Sequence, residues 1–387
     1  MGIIKVIFWI AVFIIGWAMV GYNISLKVLG KLFKARHLEK DYSLKPMVSV
    51  MIVAHNEEKV IQCKLNNIVN NDYPKDKIEY IIASDFSTDG TNDIVRKFIL
   101  DHPELNMILH ESTEHKGKTN AQNEAQKLSK GEILIMTDAN AMFEENSITE
   151  LVASFTSEDI AYVTGRLSYI NSEDNTTASS ESSYWESDLS QREVESRIKT
   201  ITAGNGAIYA CRNKEYIDFE PIECHDSSMP YYFGKRKMRA IYNPDAIAYE
   251  KAGEVDVDEF KRKVRMNRTI LHSLKSGVSC LNVFRYGWFS YFYFGHRTCR
   301  YLLWISHGCA LITSLMLIRL GGIYIFAAAG QILFYGVALI NMKVHSKNKF
   351  INLISYYTMT IFAQWKGVYN NLSGKSKPTW DKAESTR

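Results

Sequence analysis

Two aspartates stand out because of what precedes them. Asp85 follows the apolar run Ile78 to Ala83 within Ser84-Asp85-Phe86-Ser87-Thr88-Asp89-Gly90-Thr91. Asp138 follows Ile133 to Met136 within Thr137-Asp138-Ala139-Asn140. A carboxylate and an amide two residues apart on extended backbone project to the same side, so Asp138 and Asn140 can share one cation or one hydroxyl pair. Mg2+ or Mn2+ bridging a diphosphate needs few protein ligands, because phosphate oxygens and waters supply the rest. Either aspartate alone is an ordinary turn residue or helix cap. Two of them at strand ends of one sheet point instead to a built site. Lys116-Gly117-Lys118 precedes a helix start near Thr119. A lysine there suits phosphate neutralisation, although solvated surface lysines look the same.

The elements that must position these residues read as alternating strands and helices. Val48 to Val53 is a short apolar run ending at His55-Asn56-Glu57-Glu58, and Ile78 to Ala83, Met107 to Leu109 and Ile133 to Met136 are further strands. Glu58 to Asn70, Asp93 to Leu100 and Thr119 to Leu128 carry helical patterns between them. Such alternation predicts an α/β fold with a mostly parallel sheet covered on both faces. Ligands of these sheets bind outside the carboxyl ends of the strands, where the aspartates lie.

Composition bounds the rest. Hydrophobic residues make up 46% and charged residues 23%, but the apolar ones cluster at the two ends of the chain. Ile3 to Tyr22 has one charge, Lys5, and is long enough to cross a bilayer. Lys27, Lys31, Lys34, Arg36, Lys40 and Lys45 follow, which marks that flank as cytoplasmic. Asn282 to Arg297 is rich in aromatic residues, as suits a membrane interface, and Cys299 to Ile318 and Leu320 to Asn341 are each of spanning length. Phe350 to Ala363, only ~14 residues and dotted with Asn352, Ser355, Thr358 and Thr360, fits an interfacial or re-entrant helix better than a span. The expectation is three spans in a cell (inner) membrane. Six cysteines without a Cys-x-x-Cys pair argue against a disulfide framework or structural zinc. A net charge of +4 gives no footing for a nucleic-acid partner.

In order and spacing, Val48-Ser-Val-Met-Ile-Val-Ala-His-Asn-Glu-Glu58, Ser84-Asp85 with Asp89-Gly90-Thr91, Gly117-Lys118 with Asn123, and Thr137-Asp138-Ala139-Asn140 resemble the family 2 glycosyltransferases. The resemblance runs from about Met47 to Arg268 and implies their GT-A fold, with flanking transmembrane helices here. It further implies that Ala54, Glu57 and Asp85 hold the base and ribose of a nucleotide-sugar, a UDP-sugar in the first instance, with Lys118 near the nucleotide. Asp138 and Asn140 stand where the family holds Mg2+ or Mn2+, with Asn140 replacing an Asp. Gly204-Asn205-Gly206 is similar to its acceptor loop. Asp226, after Glu223-Cys224-His225, takes the place of its catalytic base, with His225 replacing the usual Glu.

His225 could tune Asp226 or cap the following helix. Arg265 matches the arginine of the motif carried by processive members, with Arg262 and Met266 replacing its Gln and Trp, and would contact the diphosphate. Trp380 and Arg387 resemble a segment that closes over the nucleotide.

The implied organisation is a transmembrane helix (1–24), a basic linker (25–45) and a GT-A domain (46–270). An interfacial helix (282–298), two transmembrane helices (299–341), an interfacial or re-entrant helix (350–372) and a cytoplasmic tail (373–387) follow. The implied reaction is inverting transfer to a growing exopolysaccharide or lipid-linked glycan. Single addition to a lipid acceptor is the second reading. A catalytically inactive membrane scaffold, supported only by Asn140 and His225, is the third.

Overall fold

The computed structural model describes residues 1–33, 38–171, 176–252, 256–344, 346 and 348–379, with the side chains of 176–184 and 256 left aside. The chain divides into an α/β unit (33–171, 186–252 and 377–387) and a helical unit (1–32, 172–185 and 253–376).

The α/β unit is built on an eight-stranded sheet. Its strands are β1 (Val48–Ala54), β2 (Ile78–Ser84), β3 (Met107–Glu111), β4 (Ile133–Asp138), β5 (Met142–Phe143), β6 (Ile160–Tyr169), β7 (Tyr209–Arg212) and β8 (Arg239–Glu250). They lie in the order β3-β2-β1-β4-β7-β6-β8-β5. Strands β3, β2, β1 and β4 are parallel neighbours, and β6 pairs β8 in parallel. Strand β7 runs antiparallel between β4 and β6, and β5 runs antiparallel on β8.

Alternate residues of β1 enter different cores, as the pleat requires. Val48, Val50 and Ile52 pack with Ile61, Leu65, Val95 and Phe98 from the helices Ile61–Val69 and Thr91–Asp101. Met51 and Val53 pack with Ala121, Ala125, Met229 and Phe233 from the helices Lys118–Gln126 and His225–Lys235. Both faces are therefore covered, and every residue of β1 and β2 is buried. Strand β7 begins only at Tyr209. Asn205 Oδ1 accepts the Ile208 amide and the Ala207 carbonyl accepts from Thr137, so these residues close a turn first.

In the helical unit, the first helix runs without a break from Gly2 to Leu32, through a π-helical turn at Trp17–Gly21. The start of the expected linker is thus helical. Here Tyr22 fills the space above Gly295, where a Cβ would sit 2.1 Å from Tyr22 Cδ2. The expected interfacial helix 282–298 is divided at Gly287, whose φ of +55° interrupts it.

The span expected at Cys299 to Ile318 is also divided, into Cys299–Tyr301 and Leu303–Met316. The cause is a side chain inserted into the helical ladder. Gln364 Oε1 accepts the Trp304 amide at 3.2 Å, and Gln364 Nε2 donates to the Arg300 carbonyl at 3.0 Å. The two groups that would bond each other thus bond Gln364.

Gly2–Leu32 (31 residues) and Ile323–Val344 (22 residues) are long and apolar enough to cross a membrane. Where Phe350 to Ala363 read as a short apolar stretch and 350–372 as an interfacial or re-entrant helix, one continuous helix runs from Lys349 to Leu372, capped by Asn348. Asp256–Met266 packs on it: Tyr356 donates to Glu259, which also pairs with Arg262 and Lys263. Burial raises the Glu259 carboxyl, but those two cations outweigh it and hold its pKa at about 2.

Candidate functional site

The site forms where β1, β2 and β4 end side by side. Val53 pairs with Asp138 and Ala54 with Ser84, so the loops after these strands leave from one edge. The loops are stitched together. The Ala54 carbonyl accepts the Asp85 amide at 2.9 Å, and Asn56 Oδ1 accepts the Thr88 amide at 2.7 Å. Asn56 and Phe86 both adopt left-handed backbone (φ of 55° and 56°), which turns the chain sharply after each strand. Asp89 accepts the Thr91 amide at 3.0 Å in the turn that leads into the next helix, and Thr91 Oγ1 accepts the Glu57 amide at 2.8 Å.

Asp85 is fully buried. One carboxylate oxygen accepts the Lys116 amide at 3.1 Å, and the other accepts the Gly117 amide at 2.9 Å and lies 2.8 Å from His115 Nδ1. It therefore organises the loop that delivers Lys118. His55 stacks on His115, with ring centroids 3.9 Å apart, and its Nδ1 lies 2.7 Å from the Asp85 carbonyl oxygen. Burial, and after it the neighbouring His115, lowers the His55 pKa. His55, Asp85 and His115 have ligand atoms within 4.8 Å of one another, a grouping capable of holding a metal ion.

Lys118 opens the helix Lys118–Gln126, directly after Gly117 with its φ of +101°. Its ammonium pairs with the carboxylate of Asp138. Burial depresses the ammonium, but Asp138 and Asp226 more than offset this, and its pKa is raised. These three side chains meet at Gly206. A Cβ there would lie 3.1 Å from Lys118 Nζ, 3.4 Å from Asp138 Oδ2 and 3.8 Å from Asp226 Cγ. Gly204 donates its amide to the Asp226 carbonyl at 2.9 Å. A Cβ on Gly204 would sit 1.9 Å from the Tyr162 hydroxyl, so only glycine fits. Asn205 faces the other way: its buried amide bonds Thr164, the Gly165 carbonyl and the Ile208 amide. The segment Gly204–Gly206 thus brings Gly206, and not the asparagine amide, toward the carboxylates.

Asp226 lies in the first turn of His225–Lys235, where the helix dipole favours a negative charge. The His225 ring is buried on the far side. It stacks on Tyr216 at 5.0 Å, meets Phe219 edge-on at 5.2 Å and places Nδ1 3.0 Å from Gln122 Oε1. Burial, reinforced by Lys118, pushes its pKa down to about 3, so this imidazole is neutral. No side chain caps the helix. His225 anchors the segment before Asp226 in the core.

Asn140 Nδ2 donates to Glu250 Oε1 at 2.5 Å, which leaves Oδ1 as its ligand atom. A carboxylate and an amide oxygen are the hard donors that Mg2+ or Mn2+ prefers, so Asp138 and Asn140 fit such an ion. Sequence reasoning missed Lys64, which lies fully buried beside this turn. Its ammonium donates to Thr137 Oγ1 at 2.9 Å and to the Ala141 carbonyl, bracketing residues 138–140. Burial lowers its pKa to about 7 against the opposing field of Asp138 and Glu250.

Glu57 is buried at the start of its loop. Arg265 belongs to the helical unit, in the last turn of Asp256–Met266. Trp380 and Arg387 lie outside the described residues, although the Pro378 carbonyl just before them approaches Gly117.

A lysine, two carboxylates and a glycine thus converge at the carboxyl edge of the sheet. Residues 49–238 match the model of glycosyl transferase family 2. It is 31% identical over 170 residues to a beta-monoglucosyldiacylglycerol synthase of Nostoc sp., covering 43% of this chain and 36% of that one. It is 37% identical over 128 residues to a probable glycosyltransferase, YdaM, of Bacillus subtilis, covering 33% of this chain and 30% of the other. The chain thus spans about a third of the length of these relatives. A mannosyltransferase from Pyrobaculum calidifontis, solved with GDP-Man and Mn2+, shares the fold across 96% of this chain and 99% of its own, with TM-score 0.73 and 22% identity.

Proposed function

We propose that the chain transfers a sugar, with inversion, from a nucleotide-sugar to a glycan or lipid-linked acceptor at a membrane. The observation that carries this is the meeting of Lys118, Asp138 and Asp226 around Gly206. Lys118 neutralises charge on the departing diphosphate, and Asp226 takes the proton of the attacking hydroxyl. A carboxylate serves here because that proton leaves late, so position counts for more than basicity. A divalent cation held by Asp138 and Asn140 would supply further charge stabilisation to the diphosphate when bound. Ala54, Glu57 and Asp85 frame the nucleoside end, and Gly204 and Gly206 give the acceptor close access to backbone. The two apolar helices support a multi-pass enzyme with its catalytic unit on the cytoplasmic side.

The acceptor is a growing polysaccharide or a lipid. Similarity to a glucosyldiacylglycerol synthase, together with Met266 in place of tryptophan, favours a single addition to a lipid. A screen of nucleotide-sugars, UDP-glucose first, for acceptor-dependent release of nucleoside diphosphate tests the activity. The number of sugars added per acceptor separates the two readings.

A further inference from the structure

We propose that the helical unit binds an uncharged, hydroxyl-bearing lipid of the diacylglycerol kind in a cavity between its helices. The proposal rests on the membrane part of the proposed function and not on the transfer reaction.

Residues of Gly2–Leu32, Leu303–Met316, Ile323–Val344 and Lys349–Leu372 enclose a cavity of about 500 Å³, within the range of small-ligand sites. Met19, Phe326 and Phe350 line it and are exposed, so it opens on the outer surface of the unit. On helices that cross a bilayer, that surface meets lipid. The lining is apolar but for His307, Gln331, Tyr335 and Tyr357, and no lysine, arginine or acidic residue is among its described residues. Ionisable side chains at such depth tend to mark ligand or proton pathways.

Those four side chains have hydrogen-bonding capacity left over. His307 Nδ1 lies 2.7 Å from the Tyr335 hydroxyl, and His307 Nε2 lies 2.7 Å from the Tyr357 hydroxyl. A neutral imidazole donates from one nitrogen and accepts at the other, so one tyrosine donates to the ring and the other accepts from it. The accepting tyrosine keeps its own hydroxyl hydrogen, which has no acceptor among the described residues. Gln331 Nε2 donates to the His307 carbonyl at 3.2 Å, which fixes the amide, and Gln331 Oε1 is buried with no donor among the described residues. The cluster thus holds one unused donor and one unused acceptor in an apolar wall, where unpaired polar groups are costly. The head of a diacylglycerol supplies the complement: its hydroxyl donates, its ester carbonyl accepts, and its acyl chains match the rest of the lining. A lipid phosphate would bring a charge that no cation in the lining offsets.

The test titrates the purified full chain in detergent with dioleoylglycerol or dioleoylphosphatidic acid, read by native mass spectrometry as the fraction of chains carrying one lipid. Gly330 lines the cavity, and a Cβ there meets nothing within 4 Å, so Gly330→Phe starts its side chain in open space and fills the site. Gln331→Leu removes the unused acceptor and keeps the wall apolar. The unsubstituted chain is expected to bind one dioleoylglycerol, roughly tenfold or more tighter than dioleoylphosphatidic acid. Both variants are expected to lose about tenfold in dioleoylglycerol affinity, with the melting temperature kept. Equal binding of the two lipids by the unsubstituted chain, or unchanged affinity in Gln331→Leu, would overturn the proposal, and neither result depends on Gly330→Phe folding. UDP and GDP titrated on the same preparation separate this from the transferase reading. Nucleotide binding without dioleoylglycerol binding removes the lipid site alone, and the reverse removes glycosyl transfer alone.

Discussion

Lys64 Nζ lies 2.9 Å from Thr137 Oγ1 and also donates to the Ala141 carbonyl, so one buried ammonium ties together the two ends of Asp138-Ala139-Asn140. Its alkyl stem is in the core and its head lies 4.3 Å from the Phe143 ring centroid. Lys64→Met keeps the stem and removes a buried charge, a change that often leaves stability level or higher. The turn then loses its brace. We expect a melting temperature within a few degrees of the unsubstituted chain and a kcat lowered roughly 10- to 100-fold, as for other supports behind metal ligands. Thermal melts beside steady-state kinetics check both halves.

The two site glycines should fail differently. At Gly204 an added methyl meets the Tyr162 hydroxyl at 1.9 Å and the Asp226 carbonyl at 3.0 Å, and both are held by the fold. Gly204→Ala is expected to cost about 1–3 kcal/mol of stability. At Gly206 the methyl meets the mobile ends of Lys118 and Asp138, at 3.1 and 3.4 Å. Gly206→Ala should fold normally and lose activity roughly tenfold, because small displacements of reacting groups are costly. Denaturant titration and kinetics on both variants separate the two cases.

His225 gives a pH signature. Its folded pKa is near 3, below the unfolded value of about 6.5, because burial and Lys118 oppose protonation. As pH falls from about 6.5 toward 3, the unfolded chain takes up a proton that the folded chain refuses, so stability drops; above pH 7 the group contributes no slope. His225→Asn keeps a donor toward Gln122 and removes the titration. The stability advantage of the unsubstituted chain over this variant should therefore shrink between pH 7 and pH 4.5, by about 2 kcal/mol. Melting temperatures of both proteins across that range are the check. An advantage independent of pH would show that the ring is not excluded from protonation.

The carboxyl edge of the site was legible in the sequence because strands β1, β2 and β4 are buried on both faces and read as largely apolar runs ending in polar residues. It did not disclose Lys64, since a lone lysine in an amphipathic helix looks like any solvated one until the fold buries it. Glu250 was hidden for another reason: only the pairing of β8 in the sheet brings it to Asn140. Spacing alone did not tell which way the Asn205 amide turns, and the fold sends it to Thr164 and the Gly165 carbonyl. The surroundings of His225, between Tyr216, Phe219 and Gln122, come from residues far apart in sequence and only the fold brings them together. The break at Leu302 depends on Gln364, 60 residues away in sequence from its partner Trp304. Hydropathy therefore read a continuous span there.

The central claim is that Asp226 removes the proton of the acceptor hydroxyl. Its most direct test is Asp226→Asn, with nucleoside diphosphate release measured in the presence of acceptor and nucleotide binding measured on the same preparation. The account predicts that acceptor-dependent release falls about 10²- to 10⁴-fold while nucleotide affinity stays within about threefold, since Asp226 does not hold the nucleoside. Release that persists near the unsubstituted rate, with the fold and nucleotide affinity intact, would contradict it.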